Sequence, residues 1–331
     1  MLGCASAISK KRQGLFAGRP ATYICVVLSA ILVASVYKLR TDTIFACQAD
    51  GYSTDRYIAY CNGTRYGDYE HGAFQFDLEP SAEDFARKAD VLFLGNSRLQ
   101  VGFSTTATAN WFSEVSARYY LLGFSYSENV TFVEPILRKI LPRAKVFVIN
   151  VDDFFERFET APVKVIFHDP GARNRYEDKH FWQRVHEPIC KRFHALCGNE
   201  AVIFRSRETG VYERRAAAHA ITPVSYDRSV NESVVNSNTD AAVKFLSNAN
   251  VSRKCVILTM VPTVDAKIGN VSAIAKALGL DLVTPEIRTE LRTYDGSHLD
   301  KTSAEYWSQA FFHAAGSSIR SCLEQRGVAG P

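Results

Sequence analysis

The chain has no long run of basic residues, no Cys-x-x-Cys pair, no His-Glu-x-x-His motif, no internal repeat and no low-complexity tract. Its 39 lysines and arginines face 35 acidic residues, a net charge of only +4. That charge is too even and too dispersed for the electrostatic footprint of a nucleic-acid binder. Without close cysteine pairs a zinc ribbon has no ligand set. The histidines His168, His180, His186 and His194 match no metal-ligand spacing, so core or solvated histidines are the expectation. What is present is globular: 47% hydrophobic and 22% charged residues exclude disorder for the bulk of the chain. A length of 331 residues accommodates one large α/β domain with insertions or two small domains.

The stretch from Ala21 to Tyr37 carries no charge and reads as one membrane helix, short at about 17 residues but extended by snorkelling flanks. Lys10, Lys11, Arg12 and Arg19 precede it, and Lys38 and Arg40 follow. The positive-inside bias puts the amino terminus in the cytoplasm and everything after about residue 41 outside. A cleaved signal peptide is the rival reading. Lys38-Leu39-Arg40 stands where a small-x-small cleavage site belongs, which favours an uncleaved anchor. The organisation expected is a cytoplasmic tail over 1–20, a membrane helix over 21–37, a tether and extension over 38–84, and one domain over 85–331. Six cysteines lie beyond the helix. In an oxidising compartment Cys47 with Cys61 and Cys190 with Cys197 are candidate disulfides. Cys255, within an apolar run, reads equally as a buried thiol.

Five short apolar runs follow one another: Val91–Leu94, Tyr119–Leu122, Val146–Ile149, Cys255–Met260 and Leu280–Val283. Continuous apolar runs of this length, bounded by turn or charged residues, are expected of strands buried on both faces. Helix-like stretches such as Ser127 to Ile140 and Val271 to Leu278 separate them. The alternation predicts a doubly wound α/β domain with a five-stranded, flavodoxin-like parallel sheet. The rhythm fails once, over about 152–239, which is too long for a loop and reads as an insertion beside the ligand crevice, a candidate substrate cap.

Ligands of doubly wound sheets gather at the carboxyl ends of the strands. The first run ends in Gly95-Asn96-Ser97-Arg98, where a serine in a tight turn can present its hydroxyl at the sheet edge, although ordinary turn chemistry explains the same residues. The second ends in Gly123, and the third in Asn150, a neutral amide able to donate without titrating. After the last run comes Tyr294-Asp295-Gly296-Ser297-His298-Leu299. There an aspartate three residues before a histidine can take the Nδ1 proton and leave Nε2 as a base toward a serine. Arg98 and Glu128 read either as substrate contacts or as solvated or helix-terminal charges. Ala304, Trp307, Phe311 and Ala314 are spaced for one buried helix face.

In these blocks the sequence resembles the SGNH (GDSL-like) hydrolase family. Gly95-Asn96-Ser97 stands for the Gly-Asp-Ser block, Gly123 for the block II glycine, Asn150 for the block III asparagine, and Asp295 with His298 for the terminal Asp-x-x-His. Two positions depart: Asn96 replaces the aspartate, and block III reads Val148-Ile149-Asn150-Val151-Asp152 instead of Gly-x-Asn-Asp. The resemblance implies Ser97 as nucleophile, His298 as base and then acid, and Asp295 as its orienter. The oxyanion hole would come from the N–H groups of Ser97 and Gly123 and the Asn150 side chain. No cofactor or metal is implied. The expected activity is ester hydrolysis on an acylated carbohydrate or lipid outside the cytoplasm. Acyl transfer to an envelope polysaccharide, or noncatalytic binding, are the alternatives.

Overall fold

The computed structural model describes residues 20–42, 44–61, 67–215, 222–249, 251–286 and 290–324. The expected cytoplasmic tail, with Lys10, Lys11, Arg12 and Arg19, lies outside them. In chain order the elements begin with α1 (Pro20–Asp42), β1 (Arg56–Cys61), α2 (Tyr69–Gln75) and α3 (Pro80–Lys88), followed by β2 (Val91–Asn96), α4 (Ser97–Phe103) and α5 (Thr106–Glu114). The middle of the chain holds β3 (Tyr119–Phe124), α6 (Val130–Ile140), β4 (Val146–Asn150), α7 (Ala161–His168), α8 (Ala172–Arg192), β5 (Val202–Ser206), β6 (Tyr212–Arg215) and β7 (Thr222–Pro223). The last elements are α9 (Glu232–Asn248), β8 (Val256–Thr259), α10 (Ile268–Leu278), β9 (Asp281–Val283), β10 (Arg292–Thr293) and α11 (Lys301–Glu324).

All five apolar runs became strands of one parallel sheet, ordered β3-β2-β4-β8-β9. Successive side chains of a strand point to opposite faces, so each run feeds two cores. Leu92, Leu94, Tyr120, Leu122, Phe147 and Ile149 pack on one side with residues of α6, α9 and α10. Val91, Phe93, Leu121, Val146, Val148 and Ile257 pack on the other with α4, α5 and α11. The doubly wound expectation is met in this coarse sense, a five-stranded parallel sheet with helices on both faces.

Four boundaries differ from the sequence reading, each for a local reason. α6 starts at Val130 and not Ser127, because Tyr126 and Ser127 sit at φ of 63° and 55° and the Asn129 side chain caps the helix at the Thr131 N–H, 2.9 Å away. The insertion ends before residue 232: Asn231 caps α9, which packs on α10 as a crossover helix of the main sheet. Ala314 of α11 is exposed, and the buried stripe runs instead through Ala304, Trp307, Phe311 and Ala315, the 3.6-residue period proper. The described residues of the stretch read as a tether are folded. Its β1 pairs antiparallel with β5 of the insertion, in a three-stranded sheet β1-β5-β6, and Tyr57, Ile58 and Ala59 are buried there. Of the aromatic residues there, Tyr52 packs on Phe204 and Phe76 on Tyr176 of the insertion, while Phe74 packs on Tyr120 and Phe124 of the main sheet.

Cys47–Cys61 and Cys190–Cys197 form the two short-range disulfides. Cys255 is not a free thiol but is bonded to Cys322, tying the start of β8 to the end of α11. α1 covers the segment expected to span a membrane, and Ile24, Leu28, Ile31, Leu32 and Val33 on it are exposed. Among the described residues no helix is long and apolar enough to cross a membrane.

Candidate active site

Strand β2 runs straight into α4, so Ser97 opens a helix at the carboxyl edge of the sheet, half-buried. Asn96 makes the join by accepting the Arg98 N–H on its side-chain oxygen at 2.9 Å, an N-cap that fixes the first turn. The other partner arrives from 201 residues away. Thr293 and Leu299 bridge the two sides of a tight loop, and Tyr294 N–H donates to the His298 carbonyl at 3.0 Å. Gly296 turns that loop at φ +83°, a backbone region that L side chains rarely adopt.

Within this loop Asp295 serves His298 twice. Its Oδ1 accepts the backbone N–H groups of Ser297 and His298 at 3.0 and 2.8 Å, and its Oδ2 lies 2.7 Å from His298 Nδ1. Burial pushes the Asp295 carboxyl up, but the His298 ring and these N–H groups outweigh it and hold the carboxyl down at about 2. An ionised carboxylate only accepts, so Nδ1 carries the proton and Nε2 is the free acceptor. Ser97 Oγ lies 2.8 Å from that Nε2. The three residues read as nucleophile, base and orienter are therefore joined in one hydrogen-bonded line.

Asn150 is fully buried at the end of β4. Its Oδ1 accepts the Val261 N–H at 2.8 Å, which assigns the amide orientation, and its Nδ2 is a buried donor with no partner. It lies against β2, the strand that leads into Ser97: a Cβ placed on Gly95 would be 3.0 Å from the Asn150 Cβ. Gly123 is within β3, paired with Gly95, and a Cβ there would come within 2.6 Å of the Asn96 carbonyl oxygen. Crowding by the backbone just before Ser97 is thus a sufficient reason for a glycine at 123.

Sequence reasoning missed an ionic network under the serine. Arg98 Nε donates to Ser297 Oγ at 3.0 Å, and its Nη1 pairs with Asp152 and, at 3.2 Å, with Asp153. Asn96 Nδ2 donates to the same Asp152 oxygen at 3.3 Å. An aspartate at 96 would keep the cap but set two carboxylates together, so the departure from Gly-Asp-Ser is matched by Asp152 in the altered third block. Burial, then the charge of Asp152, push the Asp153 carboxyl up to about 6 against the pull of Arg98. The visible signal was the Asp152-Asp153 doublet directly beyond Asn150. Tyr294 was also missed: its ring stacks on His298 at 5.6 Å and 12°, and the Arg214 guanidinium lies 3.6 Å from its centroid.

Glu128 is not at this site. It is fully buried, its Oε1 lies 3.1 Å from His71 Nε2, and it accepts from the Thr160 hydroxyl. The reading of Glu128 as a substrate contact or a solvated charge is corrected by this pair, which an apolar surrounding makes structural. As for metal ligands, the one close group among the described residues is His186, Cys190 and Cys197. Its two sulfurs are spent on each other in a disulfide. No family model, no curated protein and no solved structure matches this chain.

Proposed function

We propose that the chain is a serine ester hydrolase of SGNH type, acting on O-acyl esters of a carbohydrate or lipid through an acyl-Ser97 intermediate. The single observation that carries this is the line Asp295 Oδ2, His298 Nδ1, His298 Nε2, Ser97 Oγ, with contacts of 2.7 and 2.8 Å. Ser97 Oγ attacks the ester carbonyl carbon while its proton passes to Nε2, and Asp295 stabilises the imidazolium. The carbonyl oxygen takes up the negative charge. The unspent Asn150 Nδ2 and the N–H of Ser97, at a helix start without an intrahelical acceptor, are its proposed donors, with Gly123 N–H as a third. His298 returns its proton to the departing alcohol oxygen. Water then attacks the acyl carbon, giving its proton to Nε2, and the acid leaves as Ser97 Oγ recovers that proton.

The protein is further proposed to be held at a membrane by its amino-terminal segment, with the amino terminus cytoplasmic and the catalytic domain outside. Support comes from the exposed apolar side chains of α1, for which water is an unfavourable surrounding. The basic residues before and after α1 add the direction, and three disulfides suit an oxidising compartment.

Fluorophosphonate labelling of the full chain in detergent, read by intact mass, tests the chemistry. One adduct is expected on the wild type, none on Ser97→Ala and a much slower one on His298→Ala. A folded wild-type chain that takes no label would overturn the esterase reading and leave a binding protein.

A further inference from the structure

A cleft of about 760 Å³ is lined by Tyr294 and Leu299, which flank Asp295 and His298 in the chain, though not by the triad residues themselves; its size is within the range of about 300–1,000 Å³ that bound small ligands fill. Val101 of α4, Ser104 just after it, Ala109 of α5 and Ala304 of α11 form one wall, and the β5–β6 hairpin of the insertion forms the other. Three features join it to the reacting centre. Val101 lies one helical turn beyond Ser97, on the same face of α4. Leu299, next to His298, is in the wall, and so is Tyr294, which stacks on the His298 ring.

The lining selects among ligands. Five carboxylates and three cations line the cleft, and several are spent on one another or on the backbone. Arg56 pairs with Glu213, Glu305 accepts the Thr106 and Ala107 N–H groups at 3.0 and 2.6 Å, and Asp300 accepts the Ser303 N–H at 2.7 Å. An anionic ligand finds no basic field there. An acyl chain needs a continuous apolar wall, yet Val101, Ala109, Ile203 and Val211 are interrupted by Ser104, Thr106, Ser206 and Thr209. Hydroxyls on both walls, with charges already spent in pairs or on the backbone, suit a neutral polyhydroxylated molecule whose own hydroxyls meet those polar groups.

We propose that this cleft binds the glycan part of the ester, a neutral oligosaccharide whose acylated hydroxyl reaches Ser97. The proposal rests on the esterase reading for the direction in which the acyl group points, and makes the insertion part of the substrate site.

The test is calorimetric binding to full-length Ser97→Ala in detergent, with unacylated xylotetraose, cellotetraose and N-acetylchitotetraose as probes. At least one is expected to bind with Kd below about 1 mM, and Ala109→Trp, added to fill the groove, should weaken it about ten-fold or more. Glu208→Ala, a change at an exposed wall side chain, gives a second reading should Ala109→Trp fail to fold, and should weaken binding in the same direction. No binding of any probe, or binding unmoved by both wall variants, overturns the proposal. Labelling of Ser97 without glycan binding would sink the cleft and keep the esterase. Glycan binding with an unlabelled serine would keep the cleft and sink the esterase. Hydrolysis of lipid esters alone, indifferent to the wall variants, would assign the site to lipid.

Discussion

Asp295 spends both carboxylate oxygens on the loop it belongs to, and its low pKa has a direction in stability as well as in chemistry. A carboxyl held at about 2 in the folded chain, against an ordinary value near 3.9, stabilises the fold above about pH 4. That contribution is lost as pH falls from about 4 to about 2. Thermal melts of wild type and Asp295→Asn should therefore differ most above pH 4 and converge through that window; curves that stay parallel would refute the assignment. The same variant should lower ester turnover by about 10⁴ through the wrong histidine tautomer, measured as kcat on an aryl acetate. Arg98 gives a second test with the opposite sign. Asp153 has its carboxyl raised to about 6, so its ionisation weakens the fold as pH rises from about 4 to about 6, and Arg98 is the cation that limits this loss. Arg98→Ala should lose more stability relative to wild type at pH 8 than at pH 5. It should also lower kcat more than it raises KM, since Ser297 loses its tether beside His298. An equal deficit at both pH values would reduce Arg98 to packing.

At the level of elements, α11 is held at both ends, to α5 by Glu305 near its start and to the beginning of β8 by the Cys255–Cys322 bond near its finish. A bond closing 67 residues restricts the unfolded chain by about 4 kcal/mol in the chain-entropy account. Urea unfolding of Cys255→Ala/Cys322→Ala should show a loss on that order, with the loop of Asp295 and His298, just before α11, loosened first in hydrogen exchange. A loss below about 1 kcal/mol would show that reduction leaves α11 docked. This bond was not legible in the sequence, where Cys255 looked like one more apolar strand residue; pairing across 67 positions leaves no local pattern. The strands were legible because burial on both faces demands unbroken apolar runs, and Val91–Leu94 or Val146–Ile149 have no other use. Asp295 and His298 were legible because their contact is made within four residues. Arg98 with Asp152 and Asp153 was not, since two charged patches some 54 positions apart look like solvated turns until the sheet brings their strand ends together. The α6 start was misplaced for a smaller reason: left-handed Tyr126 and Ser127 are non-glycine residues, and nothing in their identity announces that backbone.

For the whole molecule, the decisive joint is the one between the parallel sheet and the second layer formed by the amino-terminal extension and the insertion. One buried arginine spans it. Arg205 of β5 donates to Glu70 of α2 at 2.9 Å and to the Leu121 carbonyl of β3 at 2.7 Å, with the rings of Phe124 and Phe74 at 4.8 and 5.0 Å. Glu70 in turn accepts from Ser125 backbone and side chain at 2.9 and 2.8 Å and from the Tyr212 hydroxyl. A charge pair without solvent contact is weak evidence of net stabilisation, because desolvation offsets most of the attraction, but removing one partner strands the other. Arg205→Met should therefore destabilise the chain by about 3–5 kcal/mol, while Arg205→Met combined with Glu70→Gln should recover a large part of that loss, because no unpaired charge remains. Urea denaturation of Arg205→Met, Glu70→Gln and the double variant against the wild type measures the cycle. Because β5 and β6 wall the cleft and carry Arg214 onto Tyr294, the single variant should also weaken glycan binding more than it slows fluorophosphonate labelling of Ser97. The triad is assembled from β2, α4 and the 293–299 loop, and the loop meets the insertion where β10 pairs with β7 and Arg214 lies on Tyr294. Equal losses in both readouts would mean that the two layers fold and fail together, and that the insertion supports the reacting centre as well as the substrate.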